Sequence, residues 1–270
     1  MIETRTVEIV AVPEGSRPAR VTVHTRGQGP LAVLVHGFPL DHRMWLDVMH
    51  GPLAQNRTLC AVDLRGHGDS PWCGDGVHTM ERFADDVAAV IKTLGDGQAD
   101  LAGLSMGGYV ALALMDRHPE LVRTLVLSNT RATADNDEQK QGREAAIETV
   151  ATQGRSAVCD AMLPKLLAPG ADALVRAQLR TMIEGTPVES IVADQRGLMQ
   201  RADRREGLAN IKVPTMIVAG EHDALTPVAD AEVMRDGILG ARLEVVKGTA
   251  HMTPMEAPKA WSDAVADVWL

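Results

Sequence analysis

The chain has 270 residues, 45% of them hydrophobic, and carries 27 Lys and Arg against 36 Asp and Glu, a formal net charge of -9. This length and apolar content allow a large core, whereas the acidic balance argues against a nucleic-acid partner, because phosphate binding requires concentrated Lys and Arg. The sequence has no run of 18 apolar residues and does not begin with a signal-peptide pattern, so we expect a cytoplasmic protein without a membrane partner.

The cysteines and histidines give no pattern typical of a metal site. Cys60, Cys73 and Cys159 are an odd number without metal-like spacing, which favours a reducing compartment and buried or incidental thiols. His36, His42 and His67 also lack grouped spacing, so we assign no metal.

The first elements read as strands. Residues 7–12 and 20–25 are rich in Val and Ile and flank a turn at residues 13–18, which predicts an antiparallel hairpin at a sheet edge. Residues 31–35 form a continuous apolar run, typical of a strand buried on both faces of a parallel sheet. The loop His-Gly-Phe-Pro-Leu follows, and an amphipathic stretch begins near Arg43.

A second strand and a helix come next. Residues 58–63 predict a strand that ends in a polar, glycine-rich loop at residues 65–70, and apolar residues spaced by three and four predict a helix over residues 80–94. We expect Arg65 and Asp63 to pair and brace this loop, which we interpret as structural.

The sequence Gly-Leu-Ser-Met-Gly at residues 103–107 lies between a predicted strand at residues 99–103 and a predicted helix at residues 109–115. G-x-S-x-G in this context indicates a serine on a sharp strand-to-helix turn, although a glycine-rich turn with an incidental serine remains an alternative. With the strand predicted at residues 121–128, the alternation of strands and helices favours an α/β fold with a parallel sheet.

Residues 129–210 read as helices with breaks near Gly154, residues 169–170 and residues 185–187. We therefore predict a helical cap over residues 131–209, inserted into a core of residues 1–130 and 210–270. The cap has 11 Lys and Arg against 12 Asp and Glu, and its arginines either tolerate an anionic substrate or lie on solvated helix faces. The core resumes with strands at residues 213–220 and 242–247, a helix at residues 229–236 between them, and a closing helix at residues 254–270.

Three residues in separate loops fit the chemistry of a nucleophilic serine. A serine hydroxyl needs a histidine base, which in turn needs a carboxylate to fix its tautomer. Asp223 and His251 follow the two predicted core strands that come after the cap, and the order Ser105, Asp223, His251 is the one expected when G-x-S-x-G lies on such a sheet. Glu221 is the nearest competitor for the carboxylate, and Asp135 is a weaker one.

Acyl transfer also requires donors for the developing oxyanion, and we expect them to be the backbone N–H groups of Phe38 and Met106. The side chain of Phe38 should line the acyl pocket, and Trp45, Leu225 and Met252 are further pocket candidates. Met106, Met252 and Met255 either give an adaptable apolar pocket or fill gaps, and we favour the second interpretation.

Together these motifs resemble the α/β-hydrolase superfamily across nearly the whole chain. The resemblance rests on residues 36–45, 63–70, 103–108, 118–122, 220–223 and 248–251. Within the superfamily the chain is most similar to bacterial carboxylesterases and 3-oxoadipate enol-lactonases. The resemblance implies a mostly parallel eight-stranded sheet with a helical cap, and hydrolysis of a small-molecule ester or lactone through an acyl-enzyme without a cofactor.

Other activities share this fold and remain alternatives. They are a cofactor-free haloperoxidase or perhydrolase, a carbon-carbon bond hydrolase and, from a different class, a ligand-binding signalling protein. An enol-lactonase would need a cation in the cap to bind a carboxylate, and Arg131, Arg143, Arg155, Arg176 and Arg180 are all candidates. The natural substrate and the oligomeric state are left open, a homo-oligomer included.

Overall fold

A computed structural model describes residues 1–9 and 19–270, and within them one sheet of eight strands forms the centre of the molecule. The strands are β1 (Glu3–Ile9), β2 (Ala19–Gly27), β3 (Leu31–Val35), β4 (Thr58–Asp63), β5 (Ala99–Leu104), β6 (Val122–Ser128), β7 (Thr215–Gly220) and β8 (Arg242–Val246). Their order across the sheet is β1-β2-β4-β3-β5-β6-β7-β8. β1 and β2 pair antiparallel, β2 joins β4 antiparallel, and the strands from β4 to β8 run parallel.

This arrangement confirms the predicted α/β fold with its mostly parallel eight-stranded sheet. The predicted hairpin is present at the sheet edge, but the turn at residues 13–18 lies outside the described residues. β3, β5 and β7 are buried at every position, because helices cover both faces of the sheet, and this explains their unbroken apolar sequences.

Helices connect the strands in the described part of the chain. They are α1 (Leu46–Met49), α2 (Met80–Leu94), α3 (Met106–Arg117), α4 (Asp137–Gln153), α5 (Arg155–Leu166), α6 (Ala173–Gly185), α7 (Val188–Gln200), α8 (Val228–Gly237), α9 (Thr253–Glu256) and α10 (Pro258–Trp269). α2 has the predicted bounds, and Thr79 caps its N-terminus by accepting a hydrogen bond from the N–H of Arg82.

Helices α4 to α7 lie between β6 and β7, and their ends coincide with the predicted breaks. Gly154 separates α4 from α5 with a φ of 81°, a backbone conformation that favours glycine. α4 begins with a capping box, in which Asn136 and Gln139 satisfy each other's backbone N–H groups. We refer to residues 137–200 as the helical segment.

One predicted helix differs from the observed structure. The single closing helix is wrong, because the chain breaks at Ala257 into α9 and α10. Pro258 lacks an N–H group and disfavours helical geometry in the residue before it, and Ala257 accordingly has φ -144° and ψ 64°. The amphipathic stretch near Arg43 forms only a 3₁₀ turn, His42–Trp45, followed by the short α1.

The predicted pair between Arg65 and Asp63 is also wrong. Arg65 is buried and forms a bidentate ion pair with Asp86 of α2, and its Nη1 donates to Asp75 at 2.6 Å. Asp63 instead accepts hydrogen bonds from the side chains of His24 and His42. A buried guanidinium needs an anionic partner, and α2 supplies one through Asp86, whereas the equally buried Asp63 is engaged by two histidines.

Cys60 and Cys159 are buried free thiols. Among the helices of residues 1–9 and 19–270, none has the length and apolar character required to cross a membrane.

Candidate active site

Ser105 lies on a sharp turn between β5 and α3. Its backbone has φ 55° and ψ -112°, an unusual conformation for a residue other than glycine. The turn requires glycine on both sides: a Cβ at Gly103 would lie 2.1 Å from the carbonyl oxygen of Gly107, and one at Gly107 would lie 2.2 Å from that of Val35. This close approach of strand and helix holds the Ser105 side chain at the N-terminus of α3, where the helix dipole favours negative charge.

His251 lies in the loop after β8 and contacts Asp223 in the loop after β7. Nδ1 of His251 is 2.8 Å from Oδ2 of Asp223, and both residues are buried. Because the ionised carboxylate can only accept, Nδ1 carries the proton and Nε2 is left as the basic nitrogen of the neutral ring. The pair therefore has the geometry of a general base with an orienting carboxylate.

Asp223 is held by several further donors. Asn129 donates from Nδ2 to Oδ2 at 3.0 Å, the hydroxyl of Thr226 donates to the same oxygen at 2.7 Å, and the N–H groups of Leu225 and Thr226 donate to Oδ1. Burial raises the pKa of Asp223, but the charge and hydrogen bond of His251 and the other donors outweigh it and lower the pKa to about 2. Asp223 is thus ionised whenever the protein is near neutral pH.

A cavity of about 830 Å³ opens at this position, and both Ser105 and His251 line it. Its other walls come from the loops after β3 and β7 and from helices α3, α4, α5 and α7, including Phe38, Met106, Tyr109, Ala146, Met162, Leu166, Leu198 and Leu225. The lining is mainly apolar, with a few charged side chains on α4 and after β6. Such a cavity accommodates an organic molecule of small to medium size.

Two backbone N–H groups are available near Ser105. Met106 is the first residue of α3, and a Cβ at Gly37, directly before Phe38, would lie 3.4 Å from the Ser105 Cβ. Among the described residues, the N–H groups of Phe38 and Met106 donate no hydrogen bond to another backbone group. Both could therefore donate to an oxygen on a ligand beside Ser105.

The pocket candidates from the sequence have different positions. Leu225 and Phe38 line the cavity. Trp45 and Met252 do not: both are fully buried in the core, and the Trp45 ring packs 5.3 Å from that of Trp261. Their assignment to the pocket is corrected, since a large apolar residue next to a site loop has the same sequence signal whether it faces the cavity or the core.

The competing carboxylates have other partners. Glu221 is exposed and accepts a hydrogen bond from the N–H of Gly248 at 2.9 Å. Asp135 is buried among arginines, of which Arg143 and Arg201 both donate to it. Neither carboxylate has a hydrogen bond to His251 within the described part of the chain.

Asn129 was not identified from the sequence. It follows β6 directly, has φ 46°, and its amide donates to both Asp223 and the carbonyl of Ala250. Asn tolerates this left-handed conformation better than most residues. Its position at the carboxyl end of a parallel strand is the sequence feature that could have identified it as a site residue.

A network joins the helical segment to the loop of His251. The carbonyl of Leu166, at the end of α5, accepts hydrogen bonds from the N–H groups of His251 and Met252. Glu256 accepts from the N–H of Ala168 at 2.7 Å and from that of Ala250 at 2.9 Å. We call these contacts the α5 clasp.

A buried carboxylate on α7 also connects the helical segment to two histidines of the core. Oδ2 of Asp194 is 2.9 Å from Nε2 of His67, and Oδ1 is 2.7 Å from Nδ1 of His78. All three side chains are buried. Burial lowers the pKa of His67, but the carboxylate of Asp194 outweighs it, so that the pKa of His67 is raised above its usual value.

One cluster brings potential metal ligands together outside this cavity. His24, His42, Asp63 and Asp69 place ligand atoms within 4.8 Å of one another. The two imidazoles, however, are stacked with centroids 3.4 Å apart and planes inclined by 16°. A metal ion lies near the plane of each ring that binds it, and two stacked rings cannot both offer an in-plane nitrogen to one ion. We interpret the cluster as a hydrogen-bonded network around Asp63.

Comparison with known proteins identifies similar chains. The family model of the α/β hydrolase fold matches residues 30–258. A pimeloyl-[acyl-carrier protein] methyl ester esterase of Neisseria meningitidis serogroup C is 34% identical over 242 residues, which cover 87% of this chain and 91% of that protein.

Solved structures give the same picture. A thermophilic esterase from Thermogutta terrifontis, solved with malate bound, superimposes with a TM-score of 0.92 and 32% identity, covering 97% of each chain. The enol-lactonase from Burkholderia xenovorans LB400 superimposes with a TM-score of 0.85 and 28% identity, covering 96% of this chain and 98% of that one.

Proposed function

The chain belongs to the α/β hydrolase fold family, and from this premise we propose that it hydrolyses a carboxylic ester or lactone, with Ser105 as nucleophile, His251 as general base and Asp223 as the orienting carboxylate. One observation carries the assignment of residues. A single cavity has both Ser105 and His251 in its wall, and Asp223 holds the far side of the His251 ring at 2.8 Å.

In the first half of the reaction, the Ser105 hydroxyl attacks the carbonyl carbon of the substrate while Nε2 of His251 takes its proton. The charge that develops on the carbonyl oxygen is stabilised by the N–H group of Phe38 and by that of Met106, which lies at the start of α3. Collapse of this intermediate expels the alcohol, which receives the proton from His251, and leaves an acyl ester on Ser105.

In the second half, His251 removes a proton from water, which attacks the acyl-enzyme; the bond to Ser105 then breaks, His251 returns the proton to the Ser105 oxygen, and the acid is released. With a lactone the leaving hydroxyl stays attached to the acyl group, so a single hydroxy acid is released. We further propose that residues 131–209 act as a cap that determines which substrates enter, because α4 and α5 supply much of the cavity wall. The buried free thiols of Cys60 and Cys159 favour a reducing compartment, and we expect a cytoplasmic enzyme.

The test is covalent labelling combined with turnover. Wild type, Ser105→Ala and Ser156→Ala would be treated with a fluorophosphonate and analysed by intact mass, and hydrolysis of p-nitrophenyl esters from acetate to octanoate would be followed for each. Ser156 is an exposed serine of α5 and serves as the matched control.

We expect one phosphonyl adduct on wild type and Ser156→Ala and none on Ser105→Ala. Turnover of Ser105→Ala should fall by about 10³-fold or more, because removing one triad member typically costs orders of magnitude. Labelling and hydrolysis that persist in Ser105→Ala would refute the assignment of the nucleophile.

A further inference from the structure

Three arginines surround one buried carboxylate at the edge of the cavity. Oδ1 of Asp135 is 2.7 Å from Arg201, and guanidinium nitrogens of Arg143 and Arg131 lie 3.4 and 3.5 Å from the same oxygen. Asp135 is 5% exposed, and one negative charge therefore faces three positive charges. Such a surplus of buried cations is unfavourable unless another anion approaches them.

Two of the three guanidiniums donate hydrogen bonds to several protein groups, although the buried Nε of Arg201 has no partner among the described residues. Arg143 pairs with Asp135 through two nitrogens and donates to Oε1 of Gln195 at 3.0 Å. Arg201 donates to the carbonyl of Thr133 as well as to Asp135, and its guanidinium lies 4.1 Å from the centroid of the Tyr109 ring. These two side chains are fixed within the protein.

Arg131 is different. Its contact with Asp135 at 3.5 Å is longer than a normal hydrogen bond, and its buried Nε, like that of Arg201, has no hydrogen-bond partner among the described residues. Arg131 lines the same cavity as Ser105, and the preceding residue, Thr130, donates from its hydroxyl to the carbonyl of Ser105 at 2.8 Å. The hydrogen bond of Thr130 therefore places the Arg131 backbone next to the Ser105 turn, and the Arg131 guanidinium has donors that are not used.

Other charged groups near the cluster do not remove the surplus. Asp230 of α8 is a half-buried carboxylate that interacts with Arg131 and Arg201, and burial raises its pKa. Counting Asp230 as ionised still leaves three positive charges against two negative charges. Glu138 and Lys165 also line the cavity, but they are exposed and carry opposite charges.

The remaining cap arginines are placed elsewhere. Arg155 donates to the carbonyl of Thr186, and Arg180 pairs with Asp160 and Glu184. Arg176 is exposed and lines a separate depression that also includes Lys165 and His222. Arg131 is therefore the candidate that combines a position in the cavity wall with unpaired donors.

We propose that Arg131 binds a carboxylate on the substrate, at a distance from the ester or lactone group that Ser105 attacks, so that the preferred substrates are half-esters or lactones that carry a free carboxylate. This inference rests on the proposed function, since it concerns the same cavity. A guanidinium suits a carboxylate because its planar N–H groups can bind both oxygens at once. Neutral esters leave the Arg131 charge unpaired and bind less well.

The test compares matched substrates and matched variants. Monomethyl esters of succinate, glutarate and adipate carry one carboxylate, and the corresponding dimethyl esters have the same chain without it. Methanol release from both series would be measured for wild type, Arg131→Gln, Arg131→Lys and the control Arg176→Gln. Circular dichroism would verify that each variant is folded.

We expect the ratio of kcat/KM for a monoester to that for its diester to fall by about 10- to 100-fold in Arg131→Gln, mainly through KM, because a hydrogen-bonded charge pair is lost. Arg131→Lys should recover part of the ratio, and Arg176→Gln should match wild type. An unchanged ratio in Arg131→Gln, or an equal loss on both substrates, would overturn the proposal.

Binding without turnover separates this inference from the proposed function. Calorimetric titration of glutarate into Ser105→Ala should give measurable binding that weakens by about 10-fold or more when Arg131→Gln is added. If wild type hydrolyses none of the esters but Ser105→Ala binds glutarate through Arg131, the ester hydrolase is refuted and the carboxylate site is not. Equal affinity of the two proteins for glutarate, or no binding by either, refutes the carboxylate site whatever the enzyme hydrolyses.

Discussion

His36 should make the fold less stable as the solution becomes acidic. Its Nε2 accepts a hydrogen bond from the N–H of Leu64 at 3.1 Å, so Nδ1 carries the proton and donates to the carbonyl of Gly37 at 2.9 Å. A second proton on Nε2 would face the N–H of Leu64. Burial, with a smaller contribution from His67, lowers the pKa of His36 from 6.5 to about 4.

The size of the effect follows from this shift. Between these two pKa values the unfolded chain binds a proton at His36 that the folded protein does not bind, so the free energy of unfolding falls as the pH is lowered. The loss is about 2 kcal/mol between about pH 7 and about pH 5, and it approaches about 3 kcal/mol once the pH is below both pKa values. Above about pH 7 both states are neutral at His36 and its contribution is constant.

The assay is urea unfolding followed by tryptophan fluorescence across this pH range. Other histidines titrate as well, so the informative quantity is the difference between wild type and His36→Gln, since Gln offers Leu64 a neutral acceptor. This difference should move by about 2 kcal/mol in favour of the variant between about pH 7 and about pH 5. His50→Gln, which removes an exposed histidine, is the control. A difference that stays constant with pH would refute the reasoning.

Four further substitutions and one double variant have distinct expected outcomes. Gly103→Ala should prevent correct folding, because its Cβ would lie 2.1 Å from a backbone oxygen. Gly142 lies inside α4 with nothing within 4 Å of an added Cβ, so Gly142→Ala should raise the free energy of unfolding by about 0.5–1 kcal/mol. Soluble yield and urea unfolding measure both effects. Arg65→Met should lower the free energy of unfolding by about 3–5 kcal/mol, because it leaves Asp86 buried without its partner. The double variant Arg65→Met with Asp86→Leu should lose less stability than Arg65→Met alone. Equal losses in the two variants would contradict this account. Asp223→Asn should reduce kcat for p-nitrophenyl acetate by about 10⁴-fold while the thermal unfolding midpoint changes little, and a loss below about 10-fold would contradict the role of this carboxylate.

The sequence predicted those features of the fold that depend on local patterns. The unbroken apolar run of β3 and the three- and four-residue spacing of α2 predicted both elements with their observed bounds. The glycines around Ser105 predicted a sharp turn, and the φ of 55° at that residue agrees with it.

Contacts between distant residues could not be predicted in the same way. Asn129 and Asp223 are 94 positions apart, and nothing local to either residue indicates that they meet. Arg65 pairs with Asp86 rather than with Asp63, which is two residues away in the sequence, because α2 packs the Asp86 carboxylate against the buried guanidinium. This pairing depends on the packing of the helix and not on the local sequence. For the same reason the sequence could not select Arg131 from the arginines of the cap.

The α5 clasp has a consequence for directed evolution of this protein. Leu166 contributes to the cavity wall with its side chain, while its carbonyl holds the backbone of His251. With His251 as the proposed general base, libraries that vary the end of α5 to broaden substrate range would also shift that base, and screening hits there would mix altered recognition with altered chemistry. Positions on α4 such as Ala146 line the same cavity and, within the described part of the chain, share no backbone hydrogen bond with the clasp, so they are the better place to randomise when only recognition is to change.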